Sequence, residues 1–155
     1  MRRTDREITD RSEMLRIVQS CDCCRLGFNE PGGAYILPLN FVAEDVDGQL
    51  TLFFHSATAG KKIDLVQAQP QVGFEMDTAH ALLSADTACG HSYLYESVMG
   101  KGDISLLTRG EEKRAALMKI MEKYTGKADW DIPDAALASV AILRLTVTEW
   151  SCKAH

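Results

Sequence analysis

The sequence predicts a mainly β fold, a small antiparallel barrel with short packed helices. Three observations predict it. Six or more short apolar, β-rich runs are separated by turns containing Gly or Pro. Strands and helices do not alternate regularly, which argues against a doubly wound parallel sheet. The 155 residues are 46% hydrophobic and 25% charged, enough for one packed core and too few for two, so a single domain over residues 1–155 is expected.

Taken in order, Ser12 is placed to cap a short helix to about Gln19, with Met14, Leu15 and Val18 available for packing. Cys24–Phe28, the turn Asn29–Gly33 and the apolar run Ala34–Glu44 read as a hairpin. Pro38 falls inside the second run. A proline cannot donate to a ladder, so this position is expected at an edge, a bulge or where something other than a strand approaches. Asp47-Gly48 is a turn leading into a third strand, Leu50–His55. Thr58–Gln69 has helical spacing and stops at Pro70. Val72–Met76 and Ala81–Ala88 are two further strands, and Tyr93–Leu107 is a long one bent at Gly100-Lys101-Gly102. Thr108 and Glu111 have capping-box spacing before a helix whose face is Leu117, Ile120, Met121 and Tyr124, with Gly126 as its C-terminal stop. Val140–Trp150 is the last strand.

Composition excludes several roles. Seventeen basic against 22 acidic residues give a net charge of -5, which repels a phosphate backbone, so no nucleic-acid partner is expected. No run approaches the roughly 20 apolar residues needed to span a bilayer. The charged N-terminus, residues 1–14, lacks the apolar region of a secretory signal. The five cysteines (Cys21, Cys23, Cys24, Cys89 and Cys152) are an odd number, which suits a reducing cytoplasm. Cys21 and Cys24 have C-x-x-C spacing but no second pair; a zinc site would have to recruit Cys89, His91 or His80, and no metal is expected. Glu75 and Asp77 share a strand face, as paired carboxylates or as a solvated surface pair.

The most informative segment is Phe54-His55-Ser56-Ala57-Thr58-Ala59-Gly60-Lys61-Lys62, where a strand ends and a helix begins. A helix N-terminus carries unpaired N–H groups and partial positive charge, so a cation there costs about 0.3–1 kcal/mol. Two adjacent lysines make sense if an anion sits at the helix end, with hydroxyls from Ser56 and Thr58 and close approach at Gly60. The alternative is a plain cap by Ser56 or Thr58 with solvated lysines. The spacing is not that of a nucleoside-triphosphate P-loop. His55, on the strand face of Phe53 and Thr51, is either a contact or proton carrier beside that anion or a structural histidine bonded to a carbonyl.

Three runs in series, Cys21-Asp22-x-Cys24-Arg25-Leu26-Gly27-Phe28, Tyr35-Ile36-x-Pro38-Leu39-Asn40-Phe41 and Phe54-His55-Ser56-Ala57-x-x-Gly60-Lys61-Lys62-x-Asp64-Leu65, resemble the pyridoxamine 5′-phosphate oxidase-like flavoproteins. The branch they are most similar to is the nitroimidazole-resistance (nitroimidazole reductase) proteins. Phe74–Asp77, Ser92–Gly102 and Glu111–Leu117 continue the match, which spans about residues 4–150. The resemblance implies a six-stranded antiparallel split β-barrel that binds FMN as a homodimer with interface sites. It places phosphate contacts on Ser56, Lys61 and Lys62, the flavin edge beside Pro38, Leu39, Asn40 and Phe41, and His55 near flavin and substrate. The function it implies is electron transfer from NAD(P)H through FMN to a small acceptor, a nitroaromatic or quinone, with His55 as the candidate catalytic residue. The alternatives are a non-catalytic FMN-binding, storage or sensor protein, or a haem protein using His55, His80 or His91 as axial ligand. Gly60-Lys61-Lys62 replaces the Ser-Arg-Lys pattern of the true pyridoxamine-phosphate oxidases, and their C-terminal arginine and histidine arrangement is missing, so pyridoxal phosphate synthesis is not expected.

Overall fold

The computed structural model describes residues 3–155; the first two residues of the expected domain lie outside the described residues. Its core is one antiparallel sheet. The strands are β1 (Glu7–Ile8), β2 (Cys24–Glu30), β3 (Gly33–Leu39), β4 (Phe41–Val46), β5 (Gln49–Ala57), β6 (Gln71–Leu83), β7 (Ser92–Leu106) and β8 (Val140–Ala154). They run in the order β3-β2-β6-β7-β8-β5-β4, with β1 paired to β8. The resemblance implies six strands where eight are seen. The two-residue β1 and the division of the expected 34–44 strand at Asn40 make up the difference. That division has a topological meaning. β3 and β4 are the two ends of the sheet, so a single residue joins the margins of the split. Pro38 therefore lies in an edge strand, paired only with Arg25 of β2, and its missing donor costs no ladder bond.

Turn chemistry sets the registers. Gly32, at φ 92°, closes the β2–β3 hairpin, and Asp47 and Gly48, both at positive φ, close β4–β5 as expected for a tight two-residue turn. The expected strands 72–76 and 81–88 are instead one strand, β6, ending at Leu83; a register shift between Thr78 and Ala81 with Ala79 at φ 57° broke its alternation and disguised its continuity. The bend at Gly100-Lys101-Gly102 is a bulge against β8, as the glycines suggested. A Cβ on Gly102 would lie 2.2 Å from the Thr146 carbonyl, so the bulge needs a residue without one.

The helices are α1 (Arg11–Ser20), α2 (Lys61–Ala68), α3 (Gly110–Thr125) and the short α4 (Asp134–Ala138). No expectation was made for α4, whose five residues are too few to show a period. Two expected caps are corrected. Asp10, not Ser12, caps α1, accepting from the Glu13 N–H, because an Asx carboxylate one turn earlier reaches that donor first. At α3 the cap position is Arg109 without a side-chain bond, so Thr108 sits one residue too early for a capping box. Gly126 does end α3 in the left-handed conformation.

The interior is filled by Leu26, Phe28, Leu52, Phe54, Met76, Leu143 and Leu145, with Ile17 and Val18 of α1 and Ile63 and Val66 of α2 packed into the same cluster. Each such large side chain contributes about 1.5–3 kcal/mol on burial, which is what holds the helices to the sheet. α3 packs on the outer surface of β5 and β8, where Ala116 meets Leu107 and Ile142. Among the described residues no helix is long and apolar enough to cross a membrane. Gly102→Ala should destabilise the protein by about 1–3 kcal/mol in urea unfolding through overpacking. Gly110→Ala, whose added Cβ meets nothing within 4 Å, should stay within about 0.5 kcal/mol of wild type.

Candidate functional site

The site grows from the end of β5. Alternation sends Phe54 and Ser56 inward and Phe53 and His55 outward, and Ser56 is the one polar residue in the buried class among the described residues. His55 pairs with Ile142 across to β8 and stands exposed; its ring makes no hydrogen bond among the described residues, so the carbonyl-bonded structural role is not what is observed. The chain then turns through Gly60, whose φ of 114° suits glycine alone, and α2 begins. The helix is three residues shorter at its start than the expected 58–69 span because the Gly60 carbonyl accepts the first bonds, from Ile63 and Asp64. Neither Ser56 nor Thr58 caps it, so the plain-cap alternative does not hold, and among the described residues the Lys61 and Lys62 amides have no acceptor.

The two lysines behave differently. The Lys61 ammonium lies 2.7 Å from Glu30 Oε2 and 4.4 Å from the centre of the Tyr35 ring, on the β2–β3 hairpin. Lys62 is half-buried, has no ion-pair partner among the described residues, and burial alone pushes its ammonium below the usual lysine range. Partial burial without a counter-charge disfavours the charged form of Lys62. The exposed Lys61–Glu30 pair, by contrast, is worth at most about 1 kcal/mol and yields readily to a competing anion. Glu30 and Tyr35 had no sequence signal: they reach Lys61 only through the hairpin's fold.

An open cleft of about 350 Å³ brings the expected residues together, with Pro38, Leu39, Asn40, His55, Ser56 and Lys62 on its lining. Ala57 and the Ser139–Val140 step between α4 and β8 complete it; the latter pair was missed, since more than seventy residues separate it from Lys62 and no local pattern marks it. Two expected residues stay out of the lining. Lys61 is turned to Glu30, and the Phe41 ring is fully buried 6.3 Å from Phe54, leaving only its backbone near the cleft. One wall is thus the relaxed β3–β4 corner, the other the β5–α2 junction with its cation and hydroxyl.

The remaining candidates fall elsewhere. Glu75 and Asp77 share Arg25, at 2.9 and 2.7 Å, and Asp77 also meets His80 Nε2 at 3.0 Å, an ionic surface cluster. His91 bonds the Thr87 carbonyl; neither it nor His80 lines the cleft. No group of His, Cys, Asp and Glu able to hold a metal occurs among the described residues. The cysteines are free; burial pushes the Cys21 thiol up to about 11 and Cys152 to about 12, and raises Cys24 further.

Fold and cleft together define a split-barrel protein with an open cleft at a strand–helix junction. A family model described as pyridoxamine 5′-phosphate oxidase matches residues 10–154, and the chain belongs to that family. Among solved structures it is similar to a putative 5-nitroimidazole antibiotic resistance protein from Bacteroides thetaiotaomicron, at 30% identity and TM-score 0.81 over 96% of this chain and 86% of that one. The fold is also shared with a flavocytochrome from Azotobacter vinelandii, at 18% identity and TM-score 0.83 over 100% of this chain and 72% of that one. A FAD and heme binding protein from Mycobacterium smegmatis gives 16% identity and TM-score 0.82 over 96% and 73%. No curated protein matches the sequence. Membership links the chain to flavin-binding, oxidoreductase-like proteins.

The thiols give a direct check on the site's chemistry. With a disulfide reagent near neutral pH, exposed Cys89 should react fast, whereas buried Cys21, Cys24 and Cys152 should react only after unfolding. Fast native reaction of Cys21 or Cys24 would point to a redox pair instead.

Proposed function

We propose that the protein is an FMN-dependent oxidoreductase that passes electrons from NAD(P)H to a small acceptor such as a nitroaromatic or a quinone. The observation that carries this reading is the convergence, in one cleft, of an unpaired half-buried lysine, a buried serine, an uncapped helix start and a backbone edge released from ladder bonding. These residues suit FMN: an anionic tail needs a cation and donors at one end, and a flat polar-edged ring needs free backbone groups at the other.

In this reading Lys62 neutralises the phosphate, the Ser56 hydroxyl and the first amides of α2 donate to its oxygens, and Lys61 joins them on release from Glu30. Backbone groups at Pro38, Leu39, Asn40 and Phe41 meet the ring edge. When bound, FMN supplies hydride acceptance from a nicotinamide and electron delivery to the acceptor. His55, exposed at the cleft and without a hydrogen-bonded partner to fix its tautomer, orients substrate or delivers a proton to it. The five free cysteines suit a cytoplasmic setting.

The protein is proposed to act as a homodimer with a second copy closing each cleft. On the outer surface of β3, β2 and β6 the outward residues Ile36, Arg25 and Gly73 are exposed. There Gly27 and Gly73 lie side by side in register, with Ile36, at 63% exposure, opposite Gly27 and Lys101 opposite Gly73; Met99, at 53%, stands one row along, opposite Glu75. Beyond the bulge the β6–β7 hairpin runs past its neighbours and displays Leu82 and Tyr93. Bare backbone with exposed apolar side chains beside the Arg25–Glu75 and Lys101–Glu149 ion pairs suits a self-complementary contact with another copy of the same surface.

Lys62→Ala should weaken FMN at least about tenfold in a fluorescence-quenching titration, because it removes a charge-assisted contact, while Lys61→Ala should cost about threefold or less. Equal affinity of the Lys62 variant and wild type would reject the phosphate site. Anaerobic stopped-flow should show loss of the flavin absorbance on mixing with NADH or NADPH and its return with a nitroaromatic or quinone. Binding without reduction by either nucleotide would leave a carrier or sensor in place of the enzyme. Sedimentation of the FMN-loaded protein should give twice the 17.1 kDa chain mass; a loaded monomer would reject the dimer.

A further inference from the structure

The corner between β3 and β4 lines the cleft, yet as the seam of the split it lacks a strand to hold it on one side. What holds it comes from the last turn of α3. Tyr124 Oη donates to the Asp22 carbonyl at 2.6 Å and accepts the Phe41 N–H at 3.0 Å. Its neighbour Lys123 donates from Nζ to the Cys21 carbonyl at 2.7 Å and sits 3.6 Å from the centre of the Phe41 ring. Asn40 Nδ2 reaches the same Asp22 carbonyl at 3.4 Å. Two adjacent side chains thus fasten the α1–β2 connection and the start of β4 to one another, on either side of the residue that turns the corner. The phenol stands where a neighbouring strand would otherwise take the Phe41 donor. These contacts span about a hundred residues of sequence, and neither side chain lines the cleft.

We propose that Lys123 and Tyr124 are positioning residues for the cleft, holding the Leu39–Asn40–Phe41 backbone in the place from which it meets the flavin ring. The inference rests on the FMN reading for its functional consequence, although the clamp itself does not. Lys123 carries a built-in reporter of its role. Burial lowers its ammonium to about 8, against the raising influence of Cys21 and Asp22 on the α1–β2 connection and Cys24 at the start of β2. Glu122 and Lys119 of its own helix and the neutral Gln19 of α1 share its groove, and β4 presents only Val42 and Ala43 there. Below that pH the cation makes a charge-assisted bond and a cation–π contact; above it both weaken.

The test uses the full chain. Tyr124→Phe and Lys123→Met should each weaken FMN about three- to tenfold at neutral pH, the range for one lost positioning bond. Wild-type affinity should fall by a similar factor as pH rises through about 8, and Lys123→Met should lose that fall. Lys62 titrates in both proteins and cancels in the comparison. Lys123→Arg, which stays charged, should retain tight binding at both ends of the range. FMN affinities of Tyr124→Phe and Lys123→Met equal to wild type, or a pH profile unchanged in Lys123→Met, would overturn the proposal. A second measurement needs no flavin: amide hydrogen exchange at Phe41 in the flavin-free protein should accelerate about tenfold in Tyr124→Phe. Unchanged exchange there overturns the clamp whatever the cleft binds. Wild type that takes up no FMN, with the exchange effect present, overturns the FMN reading and leaves the clamp standing.

Discussion

The constraint on which the rest of this structure depends is that one residue, Asn40, joins the two margins of an otherwise continuous antiparallel sheet. A fully closed barrel would occupy every backbone donor and acceptor at that seam. Here β3 ends in an edge strand containing Pro38, and β4 begins with an N–H taken by a side chain instead of a strand. The opening so created lies against the end of β5, where a glycine-initiated helix starts without a cap. Cleft, open edge and exposed strand–helix junction are consequences of the same incomplete closure.

Electrostatics then sorts two neighbouring lysines into different roles. Adjacent residues at a helix start point in directions about 100° apart, so Lys61 and Lys62 cannot share an environment. Lys61 reaches the β2–β3 hairpin and finds Glu30 and Tyr35, while Lys62 lies in the cleft wall with no counter-charge among the described residues. An exposed ion pair holds its members weakly, whereas an uncompensated, partly desolvated cation retains most of its drive to pair. The difference is why the proposed site assigns Lys62 the larger share of anion binding and Lys61 the smaller.

Much of this was legible along the chain. Turn glycines at Gly32, Gly48 and Gly126 and the bend at Gly100–Gly102 each obey local rules of backbone conformation and lie where the spacing put them, whereas the strand–helix junction falls at Gly60, later than the expected start at Thr58. Errors arose where a local rule was outvoted. The β6 bulge at Ala79 shifts alternation by one residue and so hides a continuous strand. Thr108 had the right partner spacing for a cap, but α3 begins later than that spacing requires. Run lengths of apolar residues could not reveal the break at Asn40, because both halves are equally strand-like.

By itself the sequence determined the β-rich class, most element positions and the candidacy of His55, Ser56 and the lysine pair, since these depend on periodicity and on chemistry within a few residues. Only the tertiary structure decided that Ser139 and Val140 complete the cleft, that Glu30 engages Lys61 and that Tyr124 secures Phe41. Those relations join residues from 31 to more than 80 positions apart. Their proximity is set by strand order and sheet closure, properties of the whole chain that no local pattern encodes.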